Sequence, residues 1–367
     1  MISAGNRNQS GNRSQLVGDS LPPSDPNSSA VLHKIKSLFL RLFPDRASLD
    51  FTVIIPTYNG AQRIGAVLER LRHQISTHQI AWEIIVIDNN STDATAEVVR
   101  QYQQQWPQHI PLRYEFEPRQ GTGYARQKGM EAANSPLVGS LDDDNLPWPN
   151  WVRSAYYFGI RHPEVGVYGS RIRGRFSTEP PANFERIAAL LALTDRGTES
   201  IPYCPEAKIL PPGAGLVVRR QAWLDNVPEE LLLADKFGDR EAGEDLEAVL
   251  RIQQAGWSIW YNAQMWMYHE IPESRLTRDY LTTLCWGIGL SRYHTRMLSF
   301  AKWKRPLMVL PYAVNDLKKI VVHVCRYRHL VITDTVTASE MRLYVASLLS
   351  PIHSWYRLSK RINKRKQ

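Results

Sequence analysis

Cysteine is scarce in this chain. Cys204, Cys285 and Cys325 are the only three in 367 residues, they lie far apart, and none belongs to a CxxC pair. Neither a disulfide framework nor a thiolate zinc site is supported, so a reducing compartment is expected. Long apolar runs are also missing: Pro311, Asn315 and Asp316 interrupt the best C-terminal candidate, and no run reaches the length of about 18 residues that crosses a bilayer. Residues 1–30 lack the hydrophobic core of a signal peptide and are rich in Ser, Asn, Gly and Pro, which predicts a disordered polar leader. Nothing in these features directs the chain out of the cytoplasm. A P-loop is excluded because no Gly-Lys-Ser/Thr sequence occurs. His269-Glu270 does not open a zinc-protease signature, since Glu273 stands where the second His of HExxH belongs.

What is present is enough for a proper core. With 43% hydrophobic and 22% charged residues, the chain supports one large α/β domain or two small ones. The formal net charge of +9 is unevenly spread. Residues 296–367 hold 15 Lys or Arg against 3 Asp or Glu, whereas residues 1–295 hold 30 against 33. A local basic excess fits an anionic membrane surface better than nucleic acid, which is not expected as a partner.

After the leader, 31-VLHKIKSLFLRLF-43 places apolar residues at helical spacing with basic residues between them and ends at Pro44. A basic amphipathic helix over 31–44 is predicted, docked either on the core or on a membrane. From residue 50 the pattern alternates between strand and helix: strands at 51-FTVIIP-56, 83-EIIVID-88, 112-LRYEFE-117 and 137-LVGSLD-142, with helices at about 61–74, 94–105 and 123–133. A doubly wound α/β sheet follows, with ligands beyond the carboxyl ends of its strands. Further on, a helix is expected near 183–193, a turn and strand at 211–220, and a helix at 244–256 closed by Gly256. Beyond about Tyr280 the chain reads as helical and basic.

The strongest local feature is Asp142-Asp143-Asp144 at a strand end. Three adjacent carboxylates repel unless a positive charge sits among them; a hard divalent cation meets that need, and a solvated acidic turn is the plainer alternative. Gly121 and Gly123 in 119-RQGTGYARQKG-129 open a helix whose first turns carry Arg126 and Lys128, a setting suited to a diphosphate but equally to an ordinary loop. Glu244 and Asp245 open another helix, where capping and catalysis are both open. His269, after an aromatic run, is either a metal ligand or a half-buried polar residue.

Taken in order, 56-PTYN-59, Asp88 in 86-VIDNNSTD-93, 121-GTGYARQKG-129, the aspartate triplet, 211-PPGAGLVVRR-220 and 244-ED-245 resemble the family 2 glycosyltransferases of GT-A fold, over residues 50–275. The stretches 141-LDDDNLPWPNWV-152, 211-PPGAGLVVRRQAWL-224, 244-EDLEAVLRIQQAGWSIWYN-262 and 285-CWGIGLSRYHTRML-298 look most like the cyanobacterial glycosyltransferases of hormogonium polysaccharide biosynthesis. The resemblance implies a GT-A nucleotide-diphospho-sugar transferase domain over 50–275 followed by a mainly helical, basic region over 276–367. It implies that Pro56, Thr57 and Tyr58 line a nucleotide pocket, Asp88 accepts from the base, Arg126 lies near ribose and diphosphate, and Asp142 contacts the ribose side. Asp144, with His269 completing the shell, would hold Mg²⁺ or Mn²⁺, Asp245 would be the general base, and Glu244 would orient the acceptor.

The implied activity is an inverting, metal-dependent transfer of one sugar from a nucleotide sugar, a UDP-sugar first among candidates, to a saccharide or lipid-linked acceptor in exopolysaccharide or cell-surface polysaccharide biosynthesis. The QxxRW signature of processive synthases is missing, which favours single transfers. The expected location is cytoplasmic and peripheral on the inner membrane face. Two rivals stand: a membrane-associated nucleotide-sugar binding protein without turnover, and a nucleotidyltransferase of similar fold. The second would carry a glycine-rich basic loop where this chain has PTYNGAQRIG.

Overall fold

The computed structural model describes residues 49–204, 210–231, 233 and 243–364. The expected leader and the expected helix over 31–44 lie outside the described residues. Strand β1 (Phe51–Thr57) pairs in parallel with β2 (Trp82–Asp88) and with β4 (Leu137–Ser140), and β2 pairs in parallel with β3 (Leu112–Phe116). Helices α1 (Ile64–Arg72), α2 (Thr95–Gln104) and α3 (Thr122–Ala132) make the crossovers that parallel neighbours require.

The burial of β1 follows from its period-two alternation. Val53 and Ile55 face one helical layer with Val67, Leu68 and Leu71 of α1. Ile54, between them, faces the other layer with Ala125 and Met130 of α3. Each such fully buried aliphatic side chain contributes about 1.5–3 kcal/mol relative to exposure. Helix α3 comes close to the sheet because position 129 is glycine, where a Cβ would meet Ile54 side-chain atoms at 2.9–3.1 Å.

Past β4 the sheet becomes mixed. Its order is β3-β2-β1-β4-β8-β6-β9-β5, with β7 (Ile201–Pro202) also on β9. Here β8 (Leu216–Arg219) runs antiparallel to both β4 and β6 (Val165–Phe176), while β6 and β9 (Ser258–Ile271) are parallel. The three-residue β5 (Asn145–Pro147) lies antiparallel on β9 and pairs Asn145 with His269. That register carries the aspartate triplet to the carboxyl end of β9, where the Glu270 N–H donates to the Asp144 carbonyl at 3.0 Å. Helices α4 (Trp151–Arg161), α5 (Arg220–Asn226) and α6 (Glu244–Gln254) complete the layers.

The helix expected near 183–193 is instead two short 3-10 turns, Phe184–Arg186 and Ala188–Leu191. Asn183 and Ala192 take left-handed φ values of 62° and 61° at the two ends, and Thr194 bridges to Ile172, so the chain leaves the helical path before a second turn can form. Phe184, Ile187 and Leu191 pack with Leu281 of α7 (Arg278–Leu298) and Val336 of α10 (Thr335–Lys364). Between those two helices come α8 (Arg305–Tyr327) and the single turn α9 (Leu330–Thr333).

Candidate active site

The parallel strands end together, and their ends bring together most of the polar residues singled out from the sequence. The turn after β4 is held by Asn145, whose backbone N–H donates to the Asp142 carbonyl at 3.0 Å and whose side-chain oxygen accepts from the Asp142 N–H at 3.0 Å. This tight turn sends the three carboxylates to different partners.

Asp142 accepts from Arg126 Nη2 at 3.0 Å. Arg126 Nη1 also donates to Asp245 and stands 3.6 Å from Glu244, so one buried guanidinium joins three carboxylates from one helix start and a strand end. The protein packed around Asp142 raises its carboxyl above the usual range; Arg126 opposes this and the neighbouring Asp144 adds to it. Burial likewise raises Glu244, against the pull of Arg126. Both shifts favour a neutral carboxyl in a cluster with more acids than cations. Gly243, at φ 133°, starts the helix that carries Glu244 and Asp245 into this cluster.

Asp143 turns away from the other two. It accepts from Thr57 Oγ1 at 2.7 Å and from Arg63 Nε and Nη2 at 2.8 and 2.9 Å. Asp144 faces the β9 side, with Arg275 Nη1 at 2.9 Å and His269 Nε2 at 3.5 Å from Oδ2. Burial pushes the Asp144 carboxyl up, but His269 in its protonated form, with Arg275 and Arg63, outweighs it, and the carboxyl stands below the usual range.

The orientation of His269 bears on metal binding. Its Nδ1 lies 3.0 Å from the Leu191 carbonyl, which only accepts, so Nδ1 carries the proton. In the neutral ring Nε2 then presents its lone pair, 3.1 Å from Arg275 Nη1. A ring that donates Nδ1–H to a backbone carbonyl and frees Nε2 is the usual arrangement of a metal-binding His. The Asp144 oxygen and His269 nitrogen converge on one cationic atom, so this donor pair fits a divalent ion that draws its remaining ligands from phosphates and water. Among the described residues no group of three or more His, Cys, Asp or Glu side chains is placed to hold a metal by itself.

The residues expected to line a nucleotide pocket are arranged less openly. Pro56 and Thr57 are buried in β1, whereas Tyr58 is 47% exposed at the mouth of the site. Asp88 is only 2% exposed; its oxygens accept from the Ser91 N–H at 2.9 Å and from the Tyr114 hydroxyl at 2.6 Å. In this state it knits the loop after β2. Asn89 ties the same loop to 119-RQG-121, accepting from Gly121 N–H at 2.7 Å and donating to the Arg119 carbonyl at 2.6 Å.

Three residues important to this geometry were missed in the sequence: Arg63 on Asp143, Arg275 on Asp144, and Gly213, which lies against Asp245. The first two are arginines in segments without a motif, and only the fold brings them to the triplet. Gly213 sits inside the quoted 211-PPGAG-215, where its lack of a side chain was the available signal.

Comparison with known proteins agrees with this architecture. Residues 52–212 match the family described as glycosyl transferase family 2. An uncharacterized glycosyltransferase of Nostoc sp. is 26% identical over 221 residues, covering 58% of this chain and 56% of that protein. Dodecaprenyl-phosphate galacturonate synthase of Rhizobium johnstonii is 31% identical over 98 residues, 26% of this chain and 28% of that protein. The chain thus spans less than two thirds of either relative. A mannosyltransferase from Pyrobaculum calidifontis, solved with GDP-Man and Mn²⁺, superposes with a TM-score of 0.51 at 18% identity, covering 88% of this chain and 95% of that one. That likeness concerns the fold.

Proposed function

From the match of residues 52–212 to glycosyl transferase family 2, we propose that the chain is an inverting, metal-dependent glycosyltransferase. It moves one sugar at a time from a nucleotide sugar to a saccharide or lipid-linked acceptor in polysaccharide biosynthesis. The observation that carries this reading is the convergence of Asp142, Asp144, Glu244, Asp245, Arg126 and His269 at one end of the sheet. The Rhizobium relative, named for a lipid phosphate product, supports a lipid-linked acceptor. The hormogonium polysaccharide subtype rests on the sequence resemblance of residues 141–152, 211–224 and 244–262. The Pyrobaculum complex supports a nucleotide diphosphate donor with a divalent ion.

Asp245 receives the proton of the acceptor hydroxyl as that oxygen attacks the anomeric carbon, and the nucleoside diphosphate leaves from the opposite face, which inverts the configuration. A sugar hydroxyl is a poor nucleophile at neutral pH, and a positioned base contributes about 10²- to 10⁴-fold. Arg126 donates to Asp245, and an arriving diphosphate would compete for the same guanidinium. Glu244 orients the acceptor beside Asp245. Asp142 faces the ribose, Pro56, Thr57 and Tyr58 line the nucleotide pocket, and Asp88 meets the base. Asp144 and His269 would hold Mg²⁺ or Mn²⁺, which when bound neutralises charge on the departing diphosphate. Domain limits of 50–275 for the transferase and 276–367 for a helical basic region belong to the same reading, as does peripheral attachment to the inner membrane face.

The stereochemical test needs no acceptor. Incubation with an α-linked nucleotide sugar and Mn²⁺, followed by proton NMR of the first sugar released to water, should show the β-anomer before mutarotation. First appearance of the α-anomer would contradict an inverting mechanism.

A further inference from the structure

Helix α8 is packed inside out. Leu307, Leu310, Val314, Leu317, Val321 and Val324, spaced alternately by three and four residues, form one stripe along it, and each is between 46% and 71% exposed. Its two buried residues are polar: Asp316, 1% exposed, and His323, 5% exposed. Asp316 accepts both terminal nitrogens of Arg296 on α7, and His323 Nε2 lies 3.0 Å from the Thr337 carbonyl of α10. The polar face therefore seats the helix on the protein and the apolar face looks outward. A water-soluble surface helix is built the other way round, and an apolar stripe of this length marks an interaction surface.

The charges beside the stripe indicate what covers it. A cleft of about 500 Å³ runs along the flank of α8, lined by Lys318, Lys319 and Arg326 together with Arg186, His323 and Glu340. The one carboxylate in that lining is already paired with Arg186. At the amino end of the helix, Lys302, Lys304 and Arg305 surround Trp303, which is 69% exposed. No helix among the described residues is long and apolar enough to cross a membrane. An apolar face rimmed by cations, with an aromatic residue at one end, suits a helix lying in the plane of an anionic bilayer.

We propose that α8 is the membrane-docking element of this protein, with the Leu307–Val324 stripe entering the acyl boundary and the Lys318, Lys319 and Arg326 cleft receiving lipid phosphates. The inference rests on the membrane attachment proposed above and assigns it to one surface. A lipid-linked acceptor would then be met by an enzyme already lying on its bilayer.

The test is co-sedimentation of the full chain with phosphatidylcholine vesicles, with and without phosphatidylglycerol. It compares the wild type with Leu310→Glu/Leu317→Glu and Lys318→Glu/Lys319→Glu. All four positions are exposed, and circular dichroism checks that each variant is folded. Wild type should sediment with the anionic vesicles. The leucine pair should fall to background, and the lysine pair should bind about tenfold less or weaker. Wild-type binding that the leucine pair leaves intact would overturn the assignment to α8 while leaving membrane attachment elsewhere in the chain. No wild-type binding at low salt would overturn both. A wild-type dimer that the leucine pair converts to monomer, with vesicle binding unchanged, would make the stripe an interface between copies and also overturn it. Nucleotide release from donor, measured on the same samples without vesicles, reports the glycosyl-transfer reading separately.

Discussion

Gly213 lies directly against the carboxylate of Asp245, so close that a Cβ at position 213 would overlap it. The loop before β8 therefore walls one side of the proposed base, while Arg126 holds the other. Gly213→Ala must displace Asp245, its loop, or both. A misplacement of about 1 Å in an aligned site costs on the order of 10²-fold in rate. The expected result is a fall in kcat of that size with donor Kd nearly unchanged, read by steady-state kinetics and calorimetric titration. Unchanged kcat would show that Asp245 does not need its observed position.

The three aspartates are expected to differ sharply. Asp144→Asn should weaken Mn²⁺-dependent nucleotide binding, because Asp144 shares its cationic partner with His269 Nε2. Asp143→Asn should leave that binding nearly intact and lower stability instead, by about 1 kcal/mol, since Asp143 serves Thr57 and the partly exposed Arg63. Titration with and without chelator, alongside thermal melts, separates the two effects. Equal losses of metal-dependent binding would refute the division of labour.

Away from the site, Glu247 of α6 is fully buried. Burial raises its carboxyl, but His294, Arg251 and the Leu233 N–H outweigh that and hold it below the usual range. A depressed carboxyl stabilises the folded state above its unfolded pKa of about 4.3 and loses that contribution as pH falls through the lower folded value. Glu247→Gln should therefore cost stability near neutral pH, by roughly 1–3 kcal/mol, and the gap from wild type should close below about pH 4. A gap that stays constant from pH 7 to acid would show that the charge contributes nothing.

Much of the site was legible because its residues lie at strand ends and helix starts, where periodicity marks the boundary: Thr57 ends Phe51–Thr57, Asp142 lies just past Leu137–Ser140, and Glu244 follows Gly243. What pairs with each carboxylate was not legible. Arg63, Arg126 and Arg275 are alike in sequence, and only the register of β5 on β9 and the close approach of α3 at Gly129 decide which aspartate each one meets. The lost helix at 183–193 has a similar cause. Its apolar spacing was real, but Phe184, Ile187 and Leu191 are satisfied by 3-10 turns packed under α7 and α10. The inverted α8 was hidden too, since a stripe of leucines and valines gives the same periodicity whether it faces inward or outward.

The central claim is that the Asp142–Asp144 turn and Asp245 form one nucleotide-sugar transfer site. The most direct measurement is the release of free nucleoside diphosphate from UDP-, GDP- and dTDP-sugars by the purified full chain with Mn²⁺, with Asp245→Asn and a chelated sample in parallel. Release from at least one donor is expected, with its abolition by chelator and a loss of about 10²- to 10⁴-fold in Asp245→Asn with donor affinity preserved. Release that survives both chelator and Asp245→Asn would contradict that claim.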